Sequence, residues 1–284
     1  TRRSVNAVSI TESLYRMPTL FQHATAFAAM VLLLAGCAGF HHPTKTPMTL
    51  RVMTYNIHHG EGLDGKVDLL RIAELIRDEK ADIVALQEVD RGVARTAKRD
   101  LPAELAALTG MTAVFANNYH FQGGEYGNAI LSRFPVRRWT NTHYRMLIPN
   151  EQRGILQAIL DVGGREVVFM NTHIDYRPDD KERWANLDEI EGLAAQYSGT
   201  PLVLCGDFNS VPTSRVVQRL ATTFDDTWAK AGEGEGLTIP ANKPTKRIDY
   251  LWVTKDGPIK PMKSWVPVTE PSDHRPVMAE FRME

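Results

Sequence analysis

Leu202-Val203-Leu204-Cys205-Gly206-Asp207-Phe208-Asn209 is an apolar run that ends abruptly in a glycine, an acid and an amide. A short run of branched apolar residues bounded by turn residues reads as a buried strand, with the polar residues emerging at its end. The pattern recurs along the chain. Residues 50–53 lead into Thr54-Tyr55-Asn56, 83–86 into Gln87-Glu88, and 167–170 into Asn171-Thr172-His173. The same polar vocabulary returns in Arg247-Ile248-Asp249-Tyr250 and Ser272-Asp273-His274. Strands of this kind lying side by side would bring these residues to one rim of a sheet. Carboxylate and amide oxygens there suit a hard cation such as Mg²⁺, and the histidines can handle protons and developing charge.

Around these motifs the periodicity predicts helices over 67–79, 101–108 and 181–197; in the first, Val67, Leu70, Ile72, Ala73, Leu75 and Ile76 recur at helical spacing. Strand-like segments fall at 113–116, 128–131, 155–162, 166–171, 202–205, 248–253 and 277–281. Gly163-Gly164 between two of them predicts a tight antiparallel hairpin. Hairpins with a few interspersed helices suggest an α/β sandwich of two packed sheets covered by helices. The polar stretch 229–247 reads as a loop at the rim, and no sequence repeat is evident.

The first part of the chain has a different character. From Ala24 to Gly36 the only polar side chain is Thr25, and the run closes in Leu34-Ala35-Gly36-Cys37. That length fits a signal-peptide core better than a membrane span, and small residues before a cysteine resemble a bacterial lipobox. The expectation is therefore a signal peptide over 1–36, a tether over 37–48 anchored by a lipidated Cys37, and a catalytic domain over 49–284. An ordinary secretory signal is the alternative. Ala38 after the cysteine favours an outer-membrane or periplasm-facing lipoprotein of the bacterial envelope. Removing the leader takes the basic count from 33 to 30 and the acidic count from 34 to 33, a net charge of about −3. No basic excess advertises a nucleic-acid partner. With Cys37 lipidated, Cys205 is left as a small buried filler without a disulfide partner.

Taken in order, the motifs resemble the endonuclease/exonuclease/phosphatase superfamily, which includes DNase I-like nucleases, abasic-site endonucleases, neutral sphingomyelinases and inositol-polyphosphate 5-phosphatases. The resemblance runs from about Leu50 to the C-terminus, with Gly206-Asp207-Phe208-Asn209 and Ser272-Asp273-His274 as its specific members. It implies a four-layer α/β sandwich, two packed, mostly antiparallel sheets flanked by helices, in a monomer. Its implied cofactor is Mg²⁺, with Mn²⁺ as an alternative. Glu88, delivered to the rim by its strand, is the candidate principal metal ligand. The resemblance adds Asn56, to complete or hold that shell, and Asp273. It gives Asp207 the role of orienting or deprotonating the attacking water, and Asn209 a place on the phosphate or the metal. His274 with Asp249 reads as a dyad in which the carboxylate fixes the imidazole tautomer and supports its positive charge. His173 corresponds to a stabiliser of transition-state charge.

Arg177 is a candidate phosphate contact through its planar fork, with a solvated loop as the equal alternative. Asn128 is a packing residue with a possible reach to the site, and Glu151 and Arg153 match a structural element. Where abasic-site endonucleases carry an Asp two residues after the strand Asn, this chain has His58, followed by His59 and Gly60. His58 is thus either a substitute ligand or a rim residue, and the change weakens a DNA-repair reading. The expected reaction is hydrolysis of a P–O ester by metal-activated water. A phospholipid head group or another envelope phosphodiester is the favoured substrate. An extracytoplasmic DNA or RNA endonuclease is the alternative, and a non-catalytic binding protein on the same scaffold is the third.

Overall fold

The computed structural model describes residues 47–283; the leader, Cys37 and most of the tether lie outside the described residues. Twelve strands form two sheets of six. In the first, β11 (Ile259–Trp265), β12 (Val277–Met283), β1 (Met48–Asn56), β2 (Ile83–Arg91), β4 (Gly124–Ser132) and β3 (Thr112–Phe121) lie side by side in that order. In the second the order is β5 (Val136–His143), β6 (Gly154–Val162), β7 (Arg165–His173), β8 (Leu202–Asp207), β10 (Asp249–Thr254) and β9 (Phe224–Asp226). Each sheet contains one parallel pair, β1 with β2 and β7 with β8, and every other pairing is antiparallel. The same order of connections thus occurs twice, a repeat of topology with no counterpart in the sequence.

Period-two alternation builds the layers. Leu50 and Val52, Ile83 and Ala85, Val167 and Phe169, and Val203 and Cys205 point between the sheets into one shared core. Their neighbours turn outward. Met53, Tyr55, Val84 and Leu86 pack under α1 (Leu69–Asp78) and α2 (Leu101–Thr109). Val168, Met170, Leu202 and Leu204 pack under α3 (Lys181–Ala195) and α4 (Arg215–Thr223). Both faces of each sheet are covered, so the strands read as continuous apolar runs. The architecture is the expected four-layer sandwich of mostly antiparallel sheets.

One difference is α4, which the sequence reading did not anticipate; the others lie at the edges. β5 and β11 were not anticipated because they are edge strands: Val136–His143 is largely polar and half exposed, and Ile259–Trp265 carries Pro261 at a bulge. The first helix begins at Leu69 rather than 67, because the Asp68 carboxylate caps it by accepting from the Leu70 amide (3.0 Å). The start of the polar stretch 229–247 belongs to α5 (Thr227–Ala231).

Candidate active site

The parallel pairs bring four strand ends to one rim. Asn56 ends β1, Glu88 lies in β2 near its end, and His173 and Asp207 end β7 and β8. Asp249 opens β10 directly opposite Asp207. The carboxylate of Asp207 sits at the centre. Its Oδ2 accepts from Asn56 Nδ2 (3.1 Å) and lies 3.5 Å from His173 Nε2 and 3.8 Å from His274 Nε2, while Oδ1 accepts from the Asn209 amide (2.8 Å). Asn209 holds φ at +45°, a left-handed turn that asparagine tolerates. Burial, reinforced by the neighbouring Asp249 carboxylate, pushes Asp207 up to about 7. A carboxyl so placed is suited to take a proton near neutral pH.

Asp249 and His274 form a buried pair, with 2.9 Å between Oδ2 and Nδ1. Burial disfavours the charged ring, but the carboxylates of Asp249, Asp207 and Asp273 overcome it and hold His274 up to about 10. The ring is therefore an imidazolium at neutral pH, aimed by Nε2 at the site. Ser272 fixes its loop: the hydroxyl donates to the Asn56 carbonyl (2.7 Å) and accepts from the His274 amide (3.2 Å).

His173 has the opposite character. Burial, then the Arg153 cation and then His274 hold it well below the ordinary histidine value, so it is neutral. Arg153 Nη1 donates to Nδ1 (2.9 Å), and guanidinium has no acceptor. The ring hydrogen is thus on Nε2, 3.5 Å from Asp207 Oδ2; Asn209 Nδ2, itself a donor engaged with the Ile174 carbonyl (3.2 Å), lies 3.1 Å from the same nitrogen and accepts nothing from it. Arg153 is in turn paired with Glu151 (3.1 Å). Sequence reasoning gave Arg153 only a structural part; the signal it missed is register, since Gly154 pairs with His173 and puts the preceding residue beside the ring.

Glu88 reaches the site through a bulge. The β2–β4 register shifts between Leu86 and Val89, and Glu88 adopts φ +58°. An extra residue in a strand re-aims a side chain, and left-handed backbone at a non-glycine residue is strain retained at a site. Asn171 supports the break from the other sheet, donating to the carbonyls of Leu86 (2.9 Å) and Ala129 (2.8 Å), while its oxygen accepts from Gln87 (2.7 Å). The Asn56 amide lies between the acids, donating to Glu88 Oε1 (2.9 Å) as well as Asp207, and its oxygen accepts from the His58 amide (3.1 Å). That last bond fixes the orientation of the amide. As placed, the Asn56 amide bridges the two acids and turns its oxygen to the His58 backbone.

The donor set suits a divalent cation. Oxygens of Asp207 and Asp249 lie within 4.8 Å of each other and of a His274 nitrogen, all buried, and Asp249 Oδ1 has no hydrogen-bond partner; the imidazolium carries hydrogens on both nitrogens, so the two acids are the candidate donors. Buried like charges of this kind are relieved by a cation. Asp273 is half-buried with Oδ1 facing Ser272 Oγ (3.3 Å), and belongs to neither ligand cluster found among the described residues. Arg177 is engaged away from the cluster, with Asp175 (2.8 Å) and Glu182 (3.2 Å). Asn128 is buried and donates to the Gly154 carbonyl (3.3 Å), a packing contact. His58 is half-buried beside Glu88.

Residues 53–274 match the Endonuclease/Exonuclease/phosphatase family. The chain belongs to this family. Among curated proteins it is 26% identical over 254 residues to the uncharacterized protein YbhP of Escherichia coli K12, covering 83% of this chain and 97% of that one. It is 27% identical over 191 residues to a 5′-tyrosyl-DNA phosphodiesterase of Caenorhabditis elegans, covering 64% of this chain and 48% of the relative. A solved family structure from Beutenbergia cavernae superposes with a TM-score of 0.67 at 25% identity, covering 83% of this chain and 72% of that one. A mannosyl-6-phosphatase of Bacteroides thetaiotaomicron gives 0.68 at 20% identity, covering 82% and 99%, a likeness of fold.

Proposed function

We propose that this protein is a divalent-metal-dependent phosphoester hydrolase of the bacterial envelope that acts on a phosphodiester at a lipid surface. One observation carries the reaction: three groups, Asn56, His173 and His274, converge on a single oxygen of Asp207, with Glu88 on the same amide. Asp207 takes the proton from the attacking water. His173 offers an uncharged N–H to an equatorial phosphoryl oxygen, and the His274 imidazolium, held by Asp249, stabilises negative charge or protonates the leaving oxygen. Glu88 and Asp207 would hold Mg²⁺ or Mn²⁺, which when bound neutralises phosphoryl charge.

The substrate reading rests on the rim. A cavity of about 450 Å³ opens beside Glu151, lined by Arg95, Tyr119, Phe121, Tyr126 and Asn150. Aromatic walls with an amide suit a ring-bearing head group; the Arg95 cation there is already paired with Asp90, and the Glu151 carboxylate also faces the cavity. Met146, Leu147 and Ile148 are exposed immediately before Asn150, and Tyr176 is exposed beyond His173. Apolar side chains projecting beside a polar site suit contact with a bilayer. The lipobox-like Leu34-Ala35-Gly36-Cys37 supports the same surface. One relative is, by name, a 5′-tyrosyl-DNA phosphodiesterase, an enzyme that cleaves a phosphodiester.

The test is a panel with Mg²⁺, Mn²⁺ or EDTA and bis-p-nitrophenyl phosphate, phosphoinositide vesicles, sphingomyelin vesicles and plasmid DNA. Chelator-sensitive cleavage of the diester and release of a lipid head group are expected. Plasmid nicking without head-group release would move the substrate to nucleic acid, and no turnover with metal bound would refute the hydrolase reading.

A further inference from the structure

The turn His58-His59-Gly60 is used by none of the steps above, yet its backbone is unusual. His58 and His59 adopt φ +43° and +45°, followed by Gly60 at +82°. Left-handed backbone is unfavourable for an L-residue, so two such histidines in succession, neither β-carbon-free, call for a reason. Packing explains the glycine alone, because a Cβ there would meet Leu69 Cδ2 at 2.9 Å. The third member of the cluster, Glu88, is also left-handed, at +58°. One nitrogen from each ring and one Glu88 carboxylate oxygen lie within 4.8 Å of one another.

One ring hydrogen is fixed by its surroundings. His58 Nδ1 lies 3.3 Å from the Glu61 carbonyl, which can only accept, so the hydrogen is on Nδ1 and Nε2 is bare. His59 Nε2 lies 3.4 Å from the Glu61 carboxylate, an ion-pair approach rather than a hydrogen bond. His59 Nδ1 is buried with no partner in the protein. A buried imidazole nitrogen left without a partner beside a second imidazole and a carboxylate is the kind of group a metal ion satisfies. The nearby Arg95 cation is compensated by a two-point ion pair with the buried Asp90 (both contacts 2.8 Å).

We propose that His58, His59 and Glu88 form a binding site for a borderline first-row transition metal ion, of the Zn²⁺ class. Two imidazoles and one carboxylate select such an ion over Mg²⁺, which prefers oxygen throughout. The site goes beyond the hydrolase reading, since its readout needs no turnover. It differs from the Asp207, Asp249 and His274 cluster in a countable property: two ring nitrogens against at most one.

The experiment is X-ray absorption on the wild-type protein loaded with one equivalent of Zn²⁺ in excess Mg²⁺, with calorimetric Zn²⁺ titration of wild type and of H58N and H59N. Asparagine is chosen because it accepts left-handed backbone. Two imidazole shells around zinc, and at least about ten-fold weaker Zn²⁺ binding in each variant with Mg²⁺ affinity retained, are expected. An oxygen-only or single-imidazole zinc environment overturns the proposal even if the variants fail to fold. So does Zn²⁺ affinity unchanged in both variants, or a loss shared equally by Mg²⁺.

Discussion

Replacing Asp207 by asparagine should make the metal-free protein more stable while abolishing its chemistry. The carboxyl is buried among other acids, and its pKa rises from 3.8 to about 7. Raised above the unfolded value, it binds its proton more tightly when folded. The resulting penalty is absent below the unfolded pKa, grows as pH climbs, and is complete above the folded one. Across that span the linked cost reaches on the order of 4 kcal/mol. Asparagine removes the charge and keeps an oxygen for the Asn209 amide, but turns a second donor towards Asn56 Nδ2 and the Nε2 hydrogens of His173 and His274, forfeiting about 1–2 kcal/mol. The net gain near pH 8 is roughly 2–3 kcal/mol, which for a domain of this size raises Tm by roughly 5–10 °C. Between about pH 5 and pH 8 the advantage should widen by roughly 2–3 kcal/mol. Thermal unfolding in EDTA at both pH values is the assay, and saturating Mn²⁺ should reverse the order by stabilising the wild type. A variant no more stable than wild type near pH 8, or equally favoured at both pH values, would refute the claim that the site stores unrelieved negative charge.

Four further outcomes follow from the same geometry. Glu88→Gln should lower activity and metal affinity together in a calorimetric titration; unchanged affinity would remove Glu88 from the metal shell. His274→Ala and Asp249→Asn should each cut kcat by on the order of 10²-fold or more, and the double variant should be little worse, because the pair acts as a unit. Asn171→Ala should cost on the order of 2–4 kcal/mol in urea unfolding, since the carbonyls of Leu86 and Ala129 lose their donor inside the protein. Cys37→Ser should move the protein from the membrane fraction to the soluble one and stop palmitate labelling, with cleavage of a small diester intact; a wild type that is soluble and unlabelled would count against the lipid anchor.

The interior strands were legible because burial on both faces writes long apolar runs, as at Leu202–Asp207 and Ile83–Arg91. Edge strands were not, since Val136–His143 has little to bury and Ile259–Trp265 tolerates a proline. At the rim, strand ends announced Asn56, Glu88, His173 and Asp207 as neighbours, because parallel pairing carries successive strands to the same side, and Asp249 joins them by opening an antiparallel strand opposite Asp207. What a linear reading lacks is the bulge that re-aims Glu88, the register that sets Arg153 against His173, and the amide of Asn171 crossing between sheets. Each depends on residues at least 20 positions apart meeting in space, as Arg153 does His173.

The place of β12 constrains how the molecule is made. Strand 277–283 lies between β1 and β11, so β1 keeps one bare edge until a strand from the far end of the domain arrives. Neither the first sheet nor the rim that needs His274 can close before β12 docks, and contacts of such long sequence separation form slowly. That order of events keeps the first sheet open late in folding. It also leaves an unpaired edge at risk of joining another chain. Maturation would therefore be expected to depend on holding factors more than a fold closed from its beginning would.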